Sequence, residues 1–241
     1  GAAALLGTPI FAVLAGTAAV LLQREGVPAA GIAVNHYSLV TNPTLPAIPM
    51  FTLAGYLLAE SRAPQRLLEV FDALFGRFRG GAAIVTALAC TFFTCFTGAS
   101  GVAILTLGAL VMPLLVGAGM RDRDALGFVT AAGLPGVILV PALPLLLYAI
   151  VAGLGIESMF LAGLLPAALV FAVVLVWGYR RLGGREGTGL LGTFDAVRAR
   201  RALWAAKWEL SLPLVPIIAL GSSLATPVEA AAFTAAFAGF V

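Results

Sequence analysis

Apolar runs separated by short charged clusters divide the chain. Residues 2–22 form a first run, closed by Gln23-Arg24-Glu25, and residues 44–60 a second, ending at Glu60. Both approach the roughly 20 residues that a membrane-crossing helix needs. Residues 26–43 between them hold Pro28, Asn35, His36, Asn42 and Pro43, and read as a loop with a short helix. The pattern then changes. Over residues 61–79, Leu67, Leu68, Phe71, Leu74, Phe75 and Phe78 recur at helical spacing, with Arg62, Arg66, Glu69, Asp72, Arg77 and Arg79 on the other side. That is an amphipathic helix suited to lie along a membrane surface.

Gly80-Gly81 opens an uncharged stretch that lasts to about residue 118, with arginine on both flanks at Arg79 and Arg121. Basic residues mark the cytoplasmic face, so this stretch enters and leaves on one side. Its centre, Phe96-Thr97-Gly98-Ala99-Ser100-Gly101, has small and hydroxyl residues without charge. Two full spans would satisfy this path as well, but such a turn suits burial in protein, which favours a re-entrant helical hairpin. Within the segment 119–155, residues 125–153 are one apolar run after the Arg121–Asp124 cluster, interrupted at Leu134-Pro135-Gly136 and again at Val140-Pro141-Ala142-Leu143-Pro144. Proline removes a donor and clashes with the preceding turn, which predicts a discontinuous helix. Residues 156–181 span again and end in Trp177-Gly178-Tyr179-Arg180-Arg181, aromatic belt before basic charge. Residues 182–207 are the longest polar stretch, read as a cytoplasmic linker or arm. Residues 208–224 span back, and a further helix starts after Thr226, so that 208–241 is a span and the start of the next element.

Composition fixes the class. Of 241 residues, 61% are hydrophobic and 10% charged, whereas a soluble domain carries about 25% charged residues. The fold class is therefore all-α: a polytopic helical bundle in a membrane, with the hairpin and the proline-broken helix inside it. The net charge of +3 comes from loop arginines without interleaved stacking aromatics, which excludes nucleic acid as a partner. The chain starts at Gly1, stops at Val241 inside an apolar run and shows no basic leader, and so reads as truncated.

The chemistry on offer is that of binding, not catalysis. His36 is the sole histidine and lies in a loop, so histidine-based metal sites and activated nucleophiles have no basis. Cys90 and Cys95 sit on an apolar helix and read as packing residues. The tip residues Thr97, Gly98, Ala99, Ser100 and Gly101 are the first candidate site. A half-helix ending there leaves carbonyls free, and one beginning there leaves N–H groups free. Such ends hold ions at the midplane of broken-helix transporters. The alternative is a tight helix contact through small residues. Pro141, Ala142 and Pro144 free further carbonyls and form the second candidate, against a simple proline kink. Thr226 and Glu229, around Pro227, fit a capping box at a helix start.

In order along the chain, these segments resemble a known family. Ile48-Pro49-Met50-Phe51-Thr52-Leu53-Ala54-Gly55, Phe78-Arg79-Gly80-Gly81, the Phe96–Gly101 tip with Leu107-Gly108 and Met112-Pro113, Pro141 to Tyr148, Met159–Pro166 and Thr226-Pro227-Val228-Glu229-Ala230-Ala231 are similar to motifs of the large membrane subunit of TRAP (tripartite ATP-independent periplasmic) transporters. The resemblance implies secondary active import of organic acids across a prokaryotic inner membrane. It implies a periplasmic binding protein that delivers substrate, a small four-helix membrane subunit, and a sodium gradient driving an elevator movement. Residues 1–60 would then be scaffold spans and 119–155 a transport-domain helix. The family's large subunit is about twice this long and is an inverted repeat, so this chain corresponds to its first half. No cofactor is implied, only Na+ as a coupling ion, with the tip and the broken helix contributing to its site.

Three positions depart from the commoner family pattern. Ala103 stands where an aspartate follows the tip, Tyr56 where an asparagine follows Leu-Ala-Gly, and Val140-Pro141-Ala142 where Pro-Pro-Ser is usual. Fewer side-chain oxygens are left for an ion. Two rival readings follow: a related permease with proton coupling or without a binding protein, and a non-transporting membrane interaction subunit.

Overall fold

The computed structural model describes residues 7–26, 28–76, 78, 80–98, 100–139, 141–182, 196–221 and 225–240. Helices dominate them, and no strand occurs among the described residues. The chain divides into two compact units, residues 1–45 and 46–241.

The first unit contains α1 (Ile10–Arg24) and α2 (Ala29–Val40). Gly26, with φ +77°, terminates α1 in a left-handed turn that glycine adopts without strain. The 12 residues of α2 extend the short helix expected within 26–43. Asn35 and His36 are exposed on it, so polar side chains that suggest a loop sit on the open face of a regular helix. At its end the Thr41 hydroxyl donates to the Tyr37 carbonyl at 2.8 Å, and Asn42 caps the next turn by accepting from the Thr44 amide at 2.9 Å.

The second unit is built around α5 (Gly81–Thr97). Ala83, Val85, Ala87, Ala89, Cys90, Phe93, Cys95 and Phe96 are all buried, which makes α5 the axis of the core. α3 (Ala47–Glu60) and α4 (Ala63–Phe75) precede it. α4 is amphipathic, as its spacing demands, but Ala63, Leu67 and Val70 bury their side chains against protein. Its neighbours include α5 and α10 (Ala196–Ala205). Part of the apolar face read over 61–79, Leu67 above all, is thus used for packing on protein. α6 (Ser100–Gly117) returns alongside α5 and is followed by α7 (Asp122–Ala132).

α7 ends at Gly133 and gives way to a 3-10 turn, Leu134–Ile138, and then to α8 (Leu143–Ala152). Prolines account for both breaks: Pro135 lies at the start of the 3-10 turn and Pro144 at the start of α8, where a missing N–H costs nothing. α9 (Ile156–Arg181) is the longest helix at 26 residues, about 39 Å at 1.5 Å per residue. It is apolar on both sides. Phe160, Gly163, Ala167, Val174 and Gly178 face the core, and Leu161, Leu165, Leu169, Val173 and Val176 are exposed. An exposed stripe of this kind is tolerable in lipid and not in water. Among the described residues, Asp122–Ala152, counted across its break, and Ile156–Arg181 are long and apolar enough to cross a membrane, and the bent pair Ala196–Ala205 with Lys207–Ala219 passes only if taken as one span.

Beyond residue 195, α10 is followed by α11 (Lys207–Ser211), α12 (Leu214–Gly221) and α13 (Pro227–Phe240). The single span read over 208–224 is divided at Pro213, which cannot supply a helical N–H. Residues 183–195 of the arm and Ser222–Leu224 lie outside the described residues. α13 packs along α3 through Ala230, Ala231, Thr234, Ala235 and Ala238. Small residues there let two helix backbones approach closely.

Candidate functional site

The hairpin turns at Gly98, whose φ of +64° follows from its missing Cβ. The Gly98 amide donates to the Thr94 carbonyl at 2.8 Å and closes α5. The Thr97 hydroxyl donates back to the Phe93 carbonyl at 3.1 Å. The Phe96 carbonyl, in the last turn, is beyond the reach of any amide within α5. Gly101 lies beyond the turn with open space where a Cβ would stand. Ala99 lies outside the described residues, and for Ser100 and Ala103 only the helical backbone is described.

Three glycines bring other elements against this end of α5. A Cβ added at Gly55 would stand 2.6 Å from the Phe96 carbonyl oxygen and 2.9 Å from the Thr97 Cα. α3 therefore crosses directly over the last turn before the tip. A Cβ at Gly136 would fall on the Thr91 carbonyl oxygen and stand 2.7 Å from the Thr94 Cβ, so the 3-10 turn lies directly on α5. At Gly163 it would stand 2.7 Å from the Ile138 carbonyl oxygen, so α9 closes on the far side of the same turn. Finally, a Cβ at Gly98 itself would meet Leu143 at 2.8 Å. The tip and the start of α8 are in contact, which unites the two interruptions found in the sequence.

Hydrogen bonds hold the break in place. The buried Thr91 hydroxyl donates to the Ala132 carbonyl at 2.9 Å, and the Cys95 thiol donates to the Leu139 carbonyl at 3.2 Å. Leu139 also accepts from the Ala142 amide at 2.7 Å. Part of the carbonyl oxygen released by the break is thus occupied by protein donors. Pro141 and Ala142 are buried behind the tip, whereas Pro144 is exposed. Thr94 is fully buried, and its hydroxyl oxygen has no hydrogen-bond partner.

Sequence reading singles out Thr97 to Gly101 and Pro141 to Pro144, places Gly136 in a helix break and Gly55 in a family motif without assigning either a contact, and gives no role to Thr91 or Thr94. A signal for them exists: hydroxyls on an apolar helix, and glycines inside helical or apolar runs, mark close backbone approach.

No group of three or more His, Cys, Asp or Glu side chains occurs among the described residues. Any cation held here takes carbonyl and hydroxyl oxygen. A cavity of about 630 Å³ opens beside the site between α5, α9 and α12. Among the described residues its walls are apolar except for Glu157.

Thr226 and Glu229 lie apart from the tip, at the start of α13. The Thr226 amide and hydroxyl donate to Glu229 Oε2 at 2.7 and 2.9 Å, and the Glu229 amide donates back to the Thr226 hydroxyl at 3.3 Å. This is a complete reciprocal cap.

The family described as the tripartite ATP-independent periplasmic transporter, DctM component, matches residues 2–241. The chain belongs to the DctM family. It is 29% identical, over 98% of its length, to the isethionate TRAP transporter permease protein DctMQ of Oleidesulfovibrio alaskensis, covering 37% of that protein. It is 27% identical over 92% of its length to the C4-dicarboxylate TRAP transporter large permease protein DctM of Rhodobacter capsulatus, covering 53%. The ectoine/5-hydroxyectoine large permease protein UehC of Ruegeria pomeroyi is 28% identical over 78% of the chain, which covers 44% of it. The chain thus spans about half the length, or less, of the relatives it matches. Membership makes it a multi-pass integral membrane protein, and in this DctM chain the motif glycines Gly55, Gly98 and Gly163 are positions where its elements touch.

Proposed function

We propose that this chain is the first repeat of a TRAP large permease subunit, which imports organic acids, carboxylates above all, across the inner membrane of a prokaryote. The observation that carries the reading is the contact of Gly98 at the hairpin tip with Leu143 at the start of α8. It unites a helix C-terminus, a helix N-terminus and a proline break in one place, the arrangement from which broken-helix transporters build midplane sites. In this reading Na+ is the co-transported cation. Oxygen atoms around the tip, among them the hydroxyl oxygens of Thr94 and Thr97, are its ligands, since hard cations take oxygen. The organic anion is attracted to the α6 N-terminus on the other side of the tip. A periplasmic binding protein delivers the anion, a small membrane subunit braces the scaffold, and α5 to α8 move together as the elevator.

The test is uptake into proteoliposomes that contain the intact transporter and its binding protein, with and without an inward sodium gradient. Uptake requires the gradient and the binding protein. Gly98→Leu abolishes it while leaving the protein inserted, because the side chain meets Leu143 and φ +64° does not suit leucine. Uptake that follows a proton gradient and ignores sodium overturns the coupling and favours a proton-driven permease. Normal uptake by Gly98→Leu removes the tip from the site.

A further inference from the structure

α10 and the start of α11 present a face that the transport reading does not use. Val197, Arg200, Arg201 and Trp204 fall at i, i+3, i+4 and i+7, on one side of α10. Val197 and Trp204 are 59% and 72% exposed, with the exposed Arg200 and Arg201 between them. The other side of α10 faces the protein: Ala199 is buried, and Arg198 reaches Asp72 of α4 at 3.4 Å. The face continues past the end of α10. The Lys207 ammonium lies 4.1 Å from the centre of the Trp204 ring and 5.0 Å from that of the half-exposed Trp208. From Ala196 to Trp208 the sequence holds four cationic residues, Arg198, Arg200, Arg201 and Lys207, and no acidic one.

The position of this face follows from the chain path. α9 spans and ends at Arg180-Arg181. Residues 182–195 are too short and too polar to cross back, so α10 lies on the side where α9 emerges. The chain then bends by 68° between α10 and the stretch Lys207–Ala219, which holds α11 and most of α12. A helix bent so far from one that enters the bilayer runs along the bilayer surface. Indoles settle at the headgroup level of a membrane, and arginine and lysine stems extend from there to phosphate oxygens.

We infer that this face is a binding surface for anionic phospholipids of the surrounding bilayer. The indoles of Trp204 and Trp208 lie among the headgroups, and Arg200, Arg201 and Lys207 bind phosphodiester and acidic headgroup oxygens. The occupant is a lipid surface and not a nucleic acid or a second protein, because the cations are interleaved with apolar side chains that need a hydrocarbon edge. The site thereby fixes the arm, and with it α4 through Arg198 and Asp72, to the plane of the membrane.

The test uses the intact protein in nanodiscs and reads quenching of Trp204 by lipids with brominated chains. The Trp204 signal is the difference between the parent and Trp204→Phe. Brominated phosphatidylglycerol quenches it more than brominated phosphatidylcholine at equal mole fraction, by about twofold or more at low salt, and the excess shrinks as salt rises. Arg200→Gln with Arg201→Gln removes the preference. Arg200→Lys with Arg201→Lys keeps it, which separates loss of charge from loss of fold. Equal quenching by the two lipids overturns the proposal in favour of a neutral anchor. So does loss of the preference in the lysine variant. Absence of quenching by either lipid also overturns it, since another protein then covers the face.

Discussion

The Thr91 hydroxyl and the Ala132 carbonyl are joined at 2.9 Å across 41 residues of chain, inside the core, where α7 gives way to the 3-10 turn. A helix broken by proline and glycine would otherwise leave that carbonyl without a donor. The bond, with that from Cys95 to Leu139, makes the hairpin and the broken helix one body. Thr91→Val leaves a buried acceptor unpaired and lowers stability by about 1–3 kcal/mol, whereas Thr91→Ser retains most of it. Thermal unfolding in detergent checks this. Equal losses in the two variants would assign the effect to packing of the methyl group.

Gly55 has no room for a side chain. Its neighbours are the Phe96 carbonyl and the Thr97 Cα, backbone atoms that cannot swing aside. Gly55→Ala forces α3 away from the tip, and overpacking of this kind costs about 1–3 kcal/mol. The expected outcome is a lower unfolding temperature together with lost uptake. Gly108→Ala is the control, since an added Cβ there meets only the Val129 side chain at 4.0 Å. Equal behaviour of the two variants would show that α3 does not press on the tip.

Arg66 of α4 binds Glu209 of α11 at 2.6 Å, and the carboxylate is 1% exposed. Its second oxygen has no partner, so the carboxylate depends on this one cation. Arg66→Gln strands it and destabilises by about 3 kcal/mol, the lower end for a broken buried pair because Arg66 is partly exposed. The double variant Arg66→Gln with Glu209→Gln recovers at least half of that loss. A double-mutant cycle on unfolding measures the coupling, and additive losses would contradict it.

Much of this arrangement is legible in the sequence, for particular reasons. Gly98, the prolines from Pro135 to Pro144 and the apolar run of α9 each break or sustain a helix by local rules, so their places can be read directly. The Thr226 cap is likewise local, formed within four residues. What touches what is not local. Nothing near Gly55 indicates that it covers the Phe96 carbonyl, and nothing near Gly136 indicates that it lies on Thr91. The division at Pro213 was within reach of the proline rule but was masked by apolar neighbours on both sides. The burial of the α4 face against protein is a tertiary outcome, since the same amphipathic pattern serves a membrane surface or a core equally well. Asn35 and His36 misdirect for the opposite reason, because exposed polar residues fit an open helix face as readily as a loop.

Sodium dependence of uptake in Thr97→Val tests the central claim most directly, since valine keeps the shape at the tip and removes its hydroxyl oxygen. With binding protein and substrate saturating, loss of one ligand among several is expected to cost about 1–3 kcal/mol, which is about 5- to 150-fold in the sodium concentration for half-maximal uptake. Maximal uptake at saturating sodium changes much less. A variant whose sodium dependence matches the parent would place the cation away from the tip and contradict the account.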